Sequence, residues 1–232
     1  MWLVVAGAAV ALMHRAASNV PIMQRGAAIA ASPLKRIFDI VFAATGLVVS
    51  SPLWVLLAAA VKLQDGGPVF FRQDRSGLNG RVFDVLKFRS MRVDAEHRGA
   101  RQAVTNDPRI TWVGRWMRAT AMDELPQLWN ILTGDMSVVG PRALRPGEIE
   151  AHGIGVLERL EDVPGFSVRS SVRPGLTGVA QIYACRNLPR RQKFRYDRLY
   201  IHQQSIGLDL RLVTLSFWIS LSGAWEVRGD RK

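Results

Sequence analysis

Ile37–Leu63, IFDIVFAATGLVVSSPLWVLLAAAVKL, decides the architecture. Its centre, Ile40–Val61, carries no charge and is long enough to cross a bilayer, which takes roughly 20 residues. Two features argue against a simple span. Ser50-Ser51-Pro52 sits in the middle, where proline removes a backbone donor and kinks a helix while serine hydroxyls partly satisfy the freed carbonyls. Basic residues flank both ends, Lys35 and Arg36 before, Lys62, Arg72 and Arg75 after. Basic flanks favour the cytoplasmic side, so both ends prefer the same side. A helix that enters one leaflet, breaks at Pro52 and returns meets both facts. A kinked transmembrane helix and a buried helix of a soluble core are the alternatives.

Outside this stretch the chain is basic. Its 232 residues hold 31 Lys+Arg against 19 Asp+Glu, a formal charge of +12, with 48% hydrophobic and 22% charged residues. That composition excludes a disordered polar chain. One cysteine excludes an intramolecular disulfide framework and a Cys-rich zinc site. The positive excess calls for an anionic partner: nucleic acid, an acidic membrane face or a phosphate-rich substrate. Met1–Met13 is apolar, too short to span, and lacks the basic n-region of a secretory signal. It reads as a helix on a membrane, the remnant of a longer span, or a start-site artefact. Near the other end, Arg186–Arg198 holds six Arg or Lys against the single acid Asp197, interleaved with Phe194 and Tyr196, and Leu212–Leu221 is a short apolar run. This pair suits the headgroup region of an anionic phospholipid bilayer. The alternative is a solvated charged face beside a core helix. No recognised RNA-binding module accompanies the basic run, so nucleic acid is not the expected partner.

Between these ends lie short elements. Val69-Phe70-Phe71 and Val82–Phe88 are β-prone and joined by a loop containing Asn79-Gly80, a strong hairpin signal. Asp94–Gln102 reads as a short helix or exposed loop, Ile110–Met117 as an amphipathic segment carrying Trp112 and Trp116, and Leu125–Leu132 as a helix ended by Gly134-Asp135. The expected fold is therefore α+β, predominantly helical with a small β-hairpin, and membrane-associated through a re-entrant helix and interfacial helices.

The chemistry gathers in Arg118–Arg142, RATAMDELPQLWNILTGDMSVVGPR. Pro126 is tolerated only in the first turn of a helix, so a helix begins close to Asp123 and Glu124. Its start stabilises carboxylates and invites phosphate. Neighbouring residues diverge on a helix, so the two acids cannot share one face, yet both can border one site. Helix capping is the plainer reading, since Thr120 and Asp123 fit a capping box. The surrounding cations outweigh it: Lys87, Arg89, Arg118, and Arg142 beside a Gly-Pro turn where Gly140 would let backbone approach a phosphate. Acids with several cations suggest Mg²⁺ and a polyphosphate together.

In order along the chain stand Lys35-Arg36-Ile37-Phe38-Asp39, Ser51-Pro52, Gly67-Pro68-Val69-Phe70-Phe71-Arg72-Gln73, Lys87-Phe88-Arg89-Ser90-Met91 and Asp107-Pro108-Arg109. Asp123-Glu124-Leu125-Pro126-Gln127, the run Gly134–Arg142, and Arg173-Pro174-Gly175-Leu176-Thr177-Gly178 follow. From about Leu34 to Leu221 the chain resembles the bacterial sugar transferases, the monotopic polyprenyl-phosphate phosphoglycosyl transferases. The resemblance implies that Asp123 attacks the sugar-proximal phosphate of a UDP-sugar, releasing UMP and leaving a phosphosugar on the carboxylate. Polyprenyl phosphate then takes the phosphosugar, as a first membrane step of exopolysaccharide, capsule, O-antigen or glycoprotein glycan synthesis. It further implies Glu124 as the acidic partner, Mg²⁺ at Asp123, and Lys87, Arg89, Arg118, Arg142 and Arg173 on the substrate. The expected division is an extension over 1–33, the re-entrant helix with its Ser51-Pro52 break over 34–65, a catalytic domain over 66–185 on the cytoplasmic face of the inner membrane, and interfacial helices over 186–232. A homodimer is left open. Ala143 replaces a second proline after Gly-Pro-Arg, and Ala184-Cys185-Arg186 stands where a Gly-Arg is usual, which touches sugar specificity rather than reaction type. A membrane-bound Mg-dependent phosphohydrolase of nucleotide sugars and a non-enzymatic basic membrane protein are the rivals.

Overall fold

A computed structural model describes residues 32–95, 107–152, 156–185, 188–223 and 225. The apolar Met1–Met13 segment, most of Asp94–Gln102, and Arg186 lie outside the described residues.

Helix α1 spans Pro33–Asp65. Ser32 caps it, its hydroxyl accepting from the Lys35 N–H at 3.2 Å, and Gly66 ends it in the left-handed region at φ 71°. The expected break at Ser51-Pro52 is not a break of secondary structure. The helix continues through Pro52 because its neighbours supply the missing bonding. Proline leaves the Val48 carbonyl without its donor, and the Ser51 hydroxyl donates to that carbonyl at 2.8 Å. One turn back, the Ser50 hydroxyl donates to the Gly46 carbonyl at 2.6 Å and accepts from the Trp54 indole at 3.1 Å.

One face of α1 is buried towards both ends and half-buried between them, at Gly46, Ser50, Leu53 and Trp54. Lys35, Asp39, Ala43, Leu57 and Val61 recur at helical spacing and pack on the rest of the chain. Gly46 meets Leu128, and Trp54 packs edge-on to Phe88 at 5.3 Å. The opposite face exposes Ile37, Val41, Val48, Val55 and Leu56. At the N-terminal end Lys35 sits between Asp39 (3.0 Å) and Asp209 (2.9 Å), while Asp39 also accepts from the Ser137 hydroxyl and the Val138 N–H. A buried lysine is tolerated because two carboxylates face it.

Strands β1 (Phe70–Ser76) and β2 (Val82–Phe88) form the predicted hairpin, in register from Phe70↔Phe88 to Ser76↔Val82. Asn79 and Gly80 turn it at φ 54° and 79°. Then come α2 (Trp112–Ala119), α3 (Gln127–Thr133), β3 (Ser137–Val139), β4 (Ile149–His152), β5 (Val156–Arg159) and α4 (Phe166–Ser170). The chain finishes with β6 (Gly175–Thr177), α5 (Val179–Tyr183), α6 (Arg190–Gln203) and α7 (Ile206–Leu221). Among the described residues three two-stranded sheets are present where one hairpin was expected, since β4 pairs antiparallel with β5 and β3 pairs parallel with β6. Strands of three or four residues are too short to carry a period-2 signal. The main core joins β2, α3, β3, α6 and α7 through Val85, Leu128, Ile131, Met136, Val138, Tyr200 and Leu212.

The basic helix near the C-terminus differs from the interfacial reading. Phe194, Asp197, Leu199, Tyr200 and Ile201 of α6 are buried, leaving Arg191, Gln192, Arg195 and Arg198 outside. Its aromatic residue Phe194 belongs to the core, because Arg169 and Phe166 pack on it. Helix α7 does expose apolar surface, at Leu210, Phe217, Trp218 and Leu221. Trp112, Trp116 and Trp129 add exposed aromatic surface on α2 and α3.

Candidate active site

The two acids lie in a tight turn between α2 and α3. Met122–Glu124 forms one 3₁₀ turn, entered through Ala121 at φ 56°. A non-glycine residue there costs about 1–2 kcal/mol, a strain that concentrates at functional sites. The capping box is absent. The Thr120 hydroxyl donates back to the Trp116 and Met117 carbonyls, and α3 starts at Gln127 without a side-chain cap.

Glu124 and Asp123 have opposite surroundings. Glu124 accepts from Lys87 and, at 2.9 Å, from Arg142. Asp123 is 6% exposed and accepts no hydrogen bond from any described residue. Burial raises both carboxyls, but Arg142 and Lys87 outweigh it at Glu124 and hold that group well below the usual carboxylate range. At Asp123 burial wins over Lys87, Arg118 and Arg142, and the neighbouring Glu124 charge adds to the rise. Burial likewise lowers Lys87, with Glu124 partly offsetting it, while Glu124 raises Arg142. Two adjoining carboxyls with pKa values driven apart are a sign of divided roles.

The turn opens into a cavity of about 1450 Å³, which among the described residues is lined by eleven Lys or Arg and four Asp or Glu. Such an excess suits a polyanion. Of the cations singled out in the sequence, Lys87, Arg118 and Arg142 line it together with both acids. Arg89 borders the cavity but is committed elsewhere. It donates to both Asp65 oxygens and to the Pro68 carbonyl (2.6 Å), clasping the end of α1. Arg173 lies outside the lining and donates to the Gly134 carbonyl at 2.9 Å. The role expected for Gly140 also differs. A Cβ there would come within 2.5 Å of the Arg173 carbonyl oxygen and 2.9 Å of the Gly175 nitrogen, so glycine permits packing of backbone on backbone.

Several lining residues were missed from sequence. Alternation along β1 turns Phe71, Gln73 and Arg75 to the cavity, on the side of Lys87, which pairs with Phe71 across the hairpin. The hairpin was legible, and its period-2 face would have found Arg75. Burial, with Arg142 and Arg145 adding, pulls Arg75 down to about 10, a measure of how crowded with cations this wall is. Arg145 and the buried Arg169–Asp197 pair carry no local motif. Phe42, Val49 and Leu53 of α1 with Val213 and Phe217 of α7 give the cavity an apolar wall as well.

The donor set can be tested for Mg²⁺. Among the described residues no group of three or more acidic, His or Cys side chains gathers. Magnesium commonly takes one or two carboxylates and completes its shell with substrate phosphate and water. Asp123, with no hydrogen-bond partner, and Glu124 beside it fit that pattern.

The family model for bacterial sugar transferases matches residues 30–223. The chain belongs to that family. Among its relatives, the UDP-glucose:undecaprenyl-phosphate glucose-1-phosphate transferase of Escherichia coli (strain K12) is 42% identical over 189 residues, 79% of this chain and 39% of the relative. The undecaprenyl-phosphate glucose phosphotransferase of Komagataeibacter xylinus is 43% identical over 190 residues, 78% of this chain and 35% of the relative. This sugar transferase chain thus spans well under half the length of those two. An exopolysaccharide production protein of Rhizobium leguminosarum bv. phaseoli is 42% identical over 186 residues, covering 78% of this chain and 91% of the relative. Of the family departures, Ala184 and Cys185 line the cavity, while Ala143 is buried outside its lining, its carbonyl accepting from Arg75 at 3.0 Å.

Proposed function

We propose that this chain transfers a sugar-1-phosphate from a UDP-sugar to undecaprenyl phosphate, in the first membrane step of exopolysaccharide synthesis. The observation that carries the reading is the asymmetry of the acids: Glu124 gripped by Lys87 and Arg142, Asp123 buried beside the same cations with no partner. The relatives named as UDP-glucose:undecaprenyl-phosphate glucose-1-phosphate transferases support the substrate classes. They make UDP-glucose the first donor to test.

The chemistry follows from these positions. An Asp123 carboxylate oxygen attacks the sugar-proximal phosphorus of the donor. The phosphoanhydride bond breaks, UMP leaves with its electron pair, and an aspartyl phosphosugar remains. A phosphate oxygen of the lipid acceptor then attacks the same phosphorus, forming the polyprenyl-diphosphate sugar and freeing Asp123. Lack of hydrogen bonds leaves the Asp123 lone pairs available, and burial thins the water around them. Lys87 and Arg142 stand beside the developing charge and let an anion approach an anion. Held by Asp123 with Glu124 alongside, Mg²⁺ would supply further neutralisation of the diphosphate oxygens.

The apolar wall from α1 and α7 fits the first isoprene units of the acceptor. The docking of α1 supports a re-entrant, one-sided membrane association at the cytoplasmic face. Arg36 at its start donates to the Ile131 and Leu132 carbonyls, and Asp65 at its end receives Arg89, so both ends hold the same body of protein. The outer face between them is apolar and exposed, as lipid contact requires.

The test is UMP release over a panel of UDP-sugars, with and without undecaprenyl phosphate and Mg²⁺. Without lipid, about one UMP per active site and a gain of one phosphosugar mass on Asp123 are expected, and Asp123→Asn should give neither. Repeated UMP release without acceptor would favour a phosphohydrolase instead. An adduct on another residue would remove Asp123 as nucleophile.

A further inference from the structure

The segment that carries Arg142 is held in an unusual way. Four consecutive carbonyls, Pro141 to Leu144, are each claimed by a different donor. Pro141 accepts from the Gly175 N–H at 2.9 Å, and Leu144 from the Ser76 N–H at 2.8 Å. Both outer bonds come from backbone. The two central carbonyls, which no described backbone N–H bonds, are taken by arginine side chains: Arg142 by Nη2 of Arg169, Ala143 by Nη1 of Arg75 at 3.0 Å.

Neither arginine is idle surface charge. Arg169 is 5% exposed, its Nε donates to Asp197 at 2.9 Å, and its guanidinium lies 4.8 Å from the centre of the Phe194 ring. Asp197 and Phe194 come from α6 and Arg169 from α4, so the clamp is built from elements that carry none of the acids. Arg75 reaches in from β1 and is steadied by Gln73. Burying the Arg169 guanidinium and half-burying that of Arg75 costs hydration, which Asp197 and Gln73 offset only in part. Fixing the direction of a third guanidinium, the one aimed at Glu124, explains their placement.

We propose that Arg169 and Arg75 are positioning residues that lock the Arg142 segment, so that the Arg142 guanidinium is aimed at the reacting phosphate before substrate arrives. This rests on the function proposed above and adds the source of its preorganisation. Misplacing an aligned group by about 1 Å costs up to about a hundredfold in rate. Loss of aim should weaken the transition-state contact more than ground-state binding, so kcat should fall while KM for the UDP-sugar changes little.

A double-mutant cycle on the full chain in lipid nanodiscs tests it. Lysine keeps the charge but cannot direct two forked N–H groups at once. Arg169→Lys and Arg75→Lys should each lower kcat for UMP release about tenfold. Combined with Arg142→Ala, either should add nothing to the loss caused by Arg142→Ala alone. Asp197→Asn, which frees Arg169 without removing it, should behave like Arg169→Lys and serves if that variant fails to fold. A purely structural role predicts losses that multiply in the Arg142→Ala background, and that result would overturn the proposal. If Arg142→Ala itself leaves UMP release intact, the reading of the site falls and the positioning role falls with it.

Discussion

Replacing Asp123 by Asn should stop turnover and at the same time stabilise the fold. The carboxylate is buried, has no hydrogen-bond donor among the described residues, and adjoins the charged Glu124. Burial raises its pKa above the ordinary 3.8 despite Lys87, Arg118 and Arg142, so the folded state disfavours its charge relative to water. The Asp123 oxygens keep access to the cavity, so only part of the roughly 1–3 kcal/mol cost of an unpaired buried polar group applies, and a gain of about 1 kcal/mol is expected. For a domain of this size 1 kcal/mol moves Tm by about 2–4 °C, so Tm should rise by about that much at pH 7–8. The sign with pH follows from the direction of the shift. An acid whose folded pKa is raised destabilises the fold above that pKa, and the penalty fades as pH falls through it towards 3.8. The advantage of Asp123→Asn should therefore be largest at neutral pH and shrink on acidification. Circular dichroism melts in detergent between pH 5 and about pH 8 would measure it. Mg²⁺ should raise the wild-type Tm and leave that of Asp123→Asn unchanged, because binding to the native state alone stabilises by mass action. A lower Tm at pH 7, or a gain that grows on acidification, would refute the argument and return Asp123 to a structural role.

Glu124→Gln should act in the opposite sense, destabilising by about 2 kcal/mol at neutral pH because it takes the bonded counter-charge from half-buried Lys87. The lowered Glu124 pKa means this loss is full above the ordinary 4.5, and a pH-dependent melt would show it. The same change should lower Lys87 further, so activity in the variant should fall at a lower pH than in wild type as pH rises, read from a pH–rate profile. Arg89→Ala should reduce Tm by releasing Asp65 and the end of α1, yet leave the single-turnover UMP burst per folded molecule intact. In a Cys185→Ser background, cysteines placed at positions 34 and 66 should both be protected from an outside reagent, whereas labelling of one end alone would establish a true span. Pro52→Ala should shift part of the population towards spanning, because it removes the one residue in the interior of α1 that lacks a backbone donor.

The sequence by itself determined the parts whose signals are local. An uncharged run from Ile40 to Val61, an Asn-Gly turn between β-prone segments, a Gly after Thr133, and a chain of ordered motifs around Asp123-Glu124 each announce themselves within a few residues. Helix continuity through Pro52 was not among them, because it depends on where the Ser51 hydroxyl points. The tertiary structure decided the division of labour among like residues. Arg89 and Arg173 look as suited to phosphate as Arg142, but Asp65 claims the first and the Gly134 carbonyl the second. Asp123 and Glu124 are adjoining carboxylic acids whose own chemistry does not tell their roles apart; in the sequence only the family resemblance did. Only Lys87 from β2, 37 residues away, and Arg142 from the turn after β3, 18 residues away, make one of them a held anion and leave the other exposed to reaction. Charge is written in the sequence, but pKa, hydrogen-bond partnership and access depend on which distant backbone and side chains arrive within about 3 Å, and that is a property of the packed chain.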